Sequence, residues 1–158
     1  MKLNYRLFRG RIVKPYLPAR DILAEIEQLL ADNRPSFHHS PLEKVAELLA
    51  DGRHYTWVGI YLTIDEKSAP ALIENLVHPA QFAAAGTRKK VIVAMKIAGR
   101  EVGFLNVESD RENAFGSEER VLLERIAGLL AKFLTGPGKY LVRKVAQPES
   151  TPKAAAAA

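Results

Sequence analysis

KKVIVAMKIAGREVGFLNVESDRENAFGSEERVLLERIAGLLAKFL, residues 89–134, breaks into two β-rich runs and one long helical run. Residues 90–98 (KVIVAMKIA) and 101–109 (EVGFLNVES) are dense in β-branched and apolar side chains. They meet at Gly99-Arg100, where glycine admits a positive φ, and so predict an antiparallel hairpin. Ser117 is placed to cap the helix that follows, with Glu118 and Glu119 in its first turn, favourable against the helix dipole. The helical run VLLERIAGLLAKFL ends at Gly136-Pro137-Gly138. Its apolar positions (Val121, Leu122, Leu123, Ile126, Ala127, Leu129, Leu130, Phe133 and Leu134) cover more than one face. An ordinary surface helix needs a single apolar stripe. The width predicts packing on the sheet and also on another helix or a second subunit.

Upstream, HYTWVGIYLTI (54–64) is rich in β-branched and aromatic residues without a helical period, and reads as a buried strand. Lys67-Ser68-Ala69-Pro70 turns the chain, and ALIENLV (71–77) reads as the antiparallel neighbour. HPAQFAAAGTRK (78–89) has small residues and no period, and is read as a loop with room for a short helical turn. Two amphipathic helices precede the strands. Asp21–Asp32 carries Ile22, Leu23, Ile26, Leu29 and Leu30 on one stripe, with Pro35 beyond its end. The second has Ser40 as cap, Pro41 in the first helical position and Glu43 completing a capping box, and it stops at Asp51-Gly52. After Gly138, KYLVRKV reads as a short strand or as chain following the domain surface. The closing QPESTPKAAAAA has nothing to bury and is expected to be disordered. The expectation is an α+β domain, an antiparallel sheet backed by N- and C-terminal helices. It divides as a basic arm (1–20), a folded domain (21–137) and a short extension with a tail (138–158).

At 158 residues, 47% hydrophobic and 26% charged, the composition suits one globular domain. There are no cysteines, which excludes disulfides, thiolate metal sites and thiol nucleophiles. No apolar run approaches the roughly 20 residues of a membrane span. The charged N-terminus lacks the apolar segment of a signal peptide, and a cytoplasmic protein is expected. The net charge of +5 is local: Lys2, Arg6, Arg9, Arg11, Lys14 and Arg20 account for 6 of the 23 basic residues. That leaves 17 against 18 acids over residues 21–158, about −1. Basicity confined to an arm argues against nucleic acid or an anionic surface as the partner, since such binders spread charge and aromatics over the fold.

Residues 89–134 also resemble the C-terminal half of a GAF domain. In that family a hairpin strand of the form G-x-L-x-V-x-S leads through a loop to Phe. A helix E-x-x-L-L-x-x-[I/L]-A follows. Gly103, Leu105, Val107, Ser109, Phe115, Glu119, Leu122, Leu123, Ile126 and Ala127 stand at those places. The fold this implies is GAF-like, related to PAS domains. Within the family the chain is similar to the free methionine-R-sulfoxide reductases, through W-x-G-x-Y at Trp57, Gly59 and Tyr61. Pro79-Ala80-Gln81-Phe82-Ala83-Ala84 also resembles their P-G-H-I-A-C loop. Their chemistry, a cysteine nucleophile and a resolving disulfide, does not carry over, because Ala84 stands at the loop cysteine. Three acids that hold their substrate's ammonium correspond to Lys90, Asn106 and Glu108, and the long glycine-rich lid is missing.

The candidate ligand-binding residues are therefore Trp57, Tyr61, His78, Lys90, Asn106 and Glu108. Trp57 and Tyr61 share a strand face and either line a pocket or, as the residues alone favour, fill the sheet–helix core. Asn106 and Glu108 share a face that meets either a ligand or water. Lys90 alone reads as a solvated strand end. His38, His39 and His54 lack metal-ligand spacing, no serine sits in a nucleophile elbow, and no phosphate-binding glycine loop occurs. Neither a catalytic residue nor a metal site is expected, and no cofactor can be named. The reading is a non-catalytic small-ligand sensor or regulatory domain, a homodimer paired through helices 21–32 and 117–134. The alternatives are an interaction or scaffold module that has lost its pocket, and a degenerate reductase.

Overall fold

The computed structural model describes residues 6–8, 11–13, 16–33, 40–53, 55–63, 70–76 and 89–146. Two short strands, β1 (Arg6–Phe8) and β2 (Arg11–Val13), pair within the basic arm. Helices α1 (Ala19–Ala31) and α2 (Pro41–Gly52) follow, then strands β3 (Trp57–Leu62), β4 (Ala71–Leu76), β5 (Lys89–Ile97) and β6 (Arg100–Ser109). Helices α3 (Ser117–Thr135) and α4 (Lys139–Ala146) close the described chain. The main sheet is antiparallel, in the order β4-β3-β6-β5.

Local chemistry accounts for most boundaries. Ser40 caps α2, its Oγ accepting from the Leu42 N–H at 3.2 Å, and Pro41 opens the first turn. The β5–β6 turn is Ala98-Gly99, with φ of 49° and 76°, and Arg100 already pairs with Ile97. The turn thus lies one residue earlier than expected, because a two-residue hairpin loop of this kind needs both residues at positive φ. Helix α1 begins two residues before Asp21, since the Pro18 carbonyl accepts from the N–H groups of Asp21 and Ile22. Gly116, not Ser117, holds the cap position of α3, and no side chain bonds there. KYLVRKV is helical rather than a strand: its Leu141 and Val142 pack on the core, which a turn of helix allows and strand alternation would not. Residues 64–69 and 77–88, with the expected turn, His78 and the Pro79 loop, lie outside the described residues, as does the tail 147–158.

Alternation along the strands divides the sheet into two faces. Val58, Ile60 and Leu62 of β3, Leu105 and Val107 of β6, and Val91 and Met95 of β5 are buried. Helices α2 and α3 pack on the sheet and bury Val45, Leu49, Leu123, Ile126 and Leu130 in the same cluster. Each such Leu or Ile contributes about 1.5–3 kcal/mol by leaving water. The wide apolar surface of α3 is consumed within the chain, by the sheet on one side and by α1 and α4 on the other. Of its nine apolar positions, only Val121 remains exposed, at 48%.

Candidate functional site

The opposite sheet face gathers five of the six candidate residues. Register sets Trp57 opposite Glu108, Gly59 opposite Asn106 and Tyr61 opposite Phe104, while β5 sets Lys90 beside Glu108 and Ile92 beside Asn106. Residues two apart on a strand share a face, so Trp57, Tyr61, Lys90, Asn106 and Glu108 lie on one surface. Trp57 and Tyr61 are half-buried there, and the core of β3 is filled by the residues between them. The core-filling reading of Trp57 and Tyr61 is thereby corrected: the helices cover the Val58 face. His78 lies outside the described residues.

Tyr61 lies back over Gly59. A Cβ added to Gly59 would come within 2.6 Å of the Tyr61 ring, so only glycine leaves room for this pose. The ring stacks on Phe104 with centroids 4.9 Å apart, and its hydroxyl donates to Glu74 at 2.6 Å. Burial first, and then the bond to the Glu74 carboxylate, push the Tyr61 hydroxyl up to about 12. Ile92 is 58% exposed beside it. Asn106 is only 8% exposed, and among the described residues its Oδ1 has no hydrogen-bond partner. Native interiors rarely leave a buried acceptor in that state.

A second polar centre joins four elements at the far end of β3. Glu119, in the first turn of α3, accepts from the Tyr16 hydroxyl at 2.7 Å, from the Tyr55 hydroxyl and from the Arg53 guanidinium. Arg53 also donates to the Leu17 carbonyl at 2.8 Å and lies 4.0 Å from the centre of the Tyr16 ring. Burial alone would raise the Glu119 carboxyl, but the two hydroxyls and the guanidinium together hold it below 4.5. Tyr16 is pushed up to about 12 by burial and by its bond to Glu119, and Tyr55 is raised further for the same reasons. The network latches the segment before α1 onto α2, β3 and α3. The sequence reading missed it, taking Glu119 as an acid favourable to the helix dipole and as a position of the GAF-like motif. Its partners stand 64, 66 and 103 residues away, and no local pattern links them.

Among the described residues, two shallow grooves lie away from the sheet face. One, of about 320 Å³, runs between α1 and α3 past Leu23, Val121 and Arg125. The other, of about 220 Å³, lies between the β6 start and the α3–α4 corner, past Leu62, Val102 and Val142. Among the described residues no three His, Asp or Glu are grouped to hold a metal, and no helix is long and apolar enough to cross a membrane.

No family model and no curated protein matches the chain. Solved structures do match it in fold. The free methionine-R-sulfoxide reductase of Neisseria meningitidis, in complex with its substrate, has a TM-score of 0.56 and 21% identity, covering 80% of this chain and 91% of its own. An A. aeolicus GAF domain in an inactive state has a TM-score of 0.53 and 13% identity, covering 74% and 95%. The type II free methionine-R-sulfoxide reductase of Thermoplasma acidophilum has a TM-score of 0.49 and 15% identity, covering 69% and 94%. Identities this low speak to architecture and not to activity. The chain has a GAF-like α+β fold, of the kind shared by GAF domains and free methionine-R-sulfoxide reductases, and it contains no cysteine.

Proposed function

We propose that this chain is a non-catalytic GAF-like sensor or regulatory domain. Its ligand face is the sheet surface of Trp57, Tyr61, Lys90, Asn106 and Glu108, with His78, outside the described residues, kept as a candidate from the sequence. The observation that carries this reading is the asymmetry of the sheet. One face is sealed by helices, whereas the other presents aromatic and polar side chains around a buried acceptor that no described residue satisfies. Structures of the same fold include a reductase holding its substrate, so the architecture can accommodate a small molecule. Thiol chemistry is excluded by composition, since the chain has no cysteine.

A second reading, an interaction module without a pocket, is favoured by one specific feature. Tyr61, folded over Gly59, occupies floor space that a ligand would otherwise use. Homodimerisation through α1 and α3 belongs to the first reading, but its support is now confined to the groove beside Val121. A cytoplasmic location accompanies both.

Native mass spectrometry of freshly purified protein tests the proposal. Extra mass that leaves on denaturation is the expected result and identifies the retained molecule. Protein that stays bare, together with no binding change on Trp57→Ala for any ligand later found, overturns the assignment in favour of the interaction module. The same spectrum reads the oligomeric state, and turnover of methionine sulfoxide would overturn the non-catalytic reading.

A further inference from the structure

Asn106 lies in the middle of the sheet face, between Gly59 on β3 and Ile92 on β5. It is more than nine-tenths buried, and among the described residues nothing donates to its Oδ1. A carbonyl oxygen removed from water without a donor is unfavourable, so a species that supplies an N–H or O–H at this point is bound with that penalty relieved. An anionic group fails there, because it would bring a second set of lone pairs against the first. A neutral N–H donor meets the oxygen without the additional desolvation cost that an ammonium carries.

Of the surrounding charges, Glu74 already accepts from the Tyr61 hydroxyl, Glu108 has interactions of its own, and Lys90 is an exposed cation beside Glu108 in the register. The remaining described side chains on this face are aromatic or apolar: the Trp57 indole, the Tyr61–Phe104 stack and the exposed Ile92. Such walls favour a planar ring, which stacks on aromatic faces and buries area on both sides.

We infer that the sheet face receives an uncharged, planar ring compound that presents an N–H to Asn106 Oδ1. This rests on the sensor reading above and narrows the chemical class of its ligand. The class includes carboxamide- and amine-bearing heteroaromatics.

Four matched probes of one size separate the possibilities: benzamide, methyl benzoate, benzoate and benzylamine. Ligand-observed NMR at millimolar concentrations reads their binding to the full chain. Benzamide is expected to bind about tenfold more tightly than methyl benzoate, the difference of one hydrogen bond to a buried acceptor. Asn106→Leu is expected to bring benzamide down to the level of methyl benzoate, and Asn106→Asp to shift preference toward benzylamine. Trp57→Ala should weaken all the probes together, which tests the site itself. Circular dichroism of each variant establishes that it is folded. Equal binding of the four probes, preference for methyl benzoate, or an Asn106→Leu protein that keeps its benzamide affinity overturns the inference. If Trp57→Ala still weakens every probe in those cases, the site reading stands alone. Probes that bind but ignore Trp57→Ala overturn both, and benzamide that does not bind at all overturns the inference.

Discussion

Glu119 and Asn106 are buried to almost the same degree, 7% and 8% exposed, and have opposite surroundings. The charged residue is surrounded by donors from three partners, while the neutral one leaves its oxygen unmet. Burial by itself therefore says little about a polar side chain's role, and the state of its hydrogen bonds says much. A fully partnered buried carboxylate holds elements together, since losing any partner exposes an uncompensated charge. Among the described residues the Asn106 oxygen shares its unmet state with Asn33 Nδ2 and with Arg53 Nε, but unlike Arg53 it has no charged partner nearby to hold it in a network.

The largest effect that could break this contrast is at the partnered centre. Glu119→Ala strands the Arg53 guanidinium and should lower stability by about 3–5 kcal/mol in urea unfolding at neutral pH. A loss below about 1 kcal/mol would mean that the latch is ornamental. Its pH dependence follows from the direction of the Glu119 shift. The folded carboxyl is held below 4.5, so its contribution is complete above the unfolded value and is lost as pH falls through the folded one. Unfolding curves from pH 7 down to pH 3 should therefore steepen in the native protein and flatten in Glu119→Gln. At the alkaline end the sign reverses. Tyr16, raised to about 12, stabilises fully below pH 10 and ceases to as pH rises through the folded value.

A smaller effect compares the two sheet faces through their glycines. A Cβ at Gly103 would stand 2.1 Å from the Tyr61 carbonyl oxygen, and a backbone atom has no easy retreat. Gly103→Ala should lower stability by about 3 kcal/mol. At Gly59 the obstacle is the Tyr61 ring, which can swing away. Gly59→Ala should then cost only about 1 kcal/mol, the loss of the Tyr61–Glu74 hydrogen bond, and thermal melts of the two variants should rank them in that order. The reverse ranking would show that the Tyr61 pose is as rigid as the core. The smallest effect is expected at Asn106. Asn106→Leu removes an acceptor that has no partner to strand, and should change stability by less than about 1 kcal/mol in either direction. A loss of the size expected for Glu119→Ala would place Asn106 among the structural residues and dissolve the contrast.

Much of the fold was legible because it is written in local periods and punctuation. The Ser40-Pro41 start of α2, the glycine turn of the hairpin, the strand at Trp57–Leu62 and the Gly136-Pro137-Gly138 stop each act within a few residues. The short boundary errors have the same origin, for Pro18 and Gly116 take up cap positions that the pattern assigned one or two residues further on. The α4 segment was misread because eight residues are too few to separate the two periods without their packing partner. At the site, period two placed Trp57 with Tyr61 and Asn106 with Glu108.

By itself, the sequence determined the types of the main elements, the absence of thiol chemistry and the pairs that share each strand face. All three depend only on composition or on neighbours along the chain. Tertiary structure alone decided that β3 lies between β4 and β6, that the Val58 face rather than the Trp57 face is sealed, and that Glu119 gathers Tyr16, Arg53 and Tyr55. It also decided that the apolar width of α3 is spent on α1, α4 and the sheet. Those outcomes depend on contacts between distant residues, whose energies exist only once the chain has brought them together.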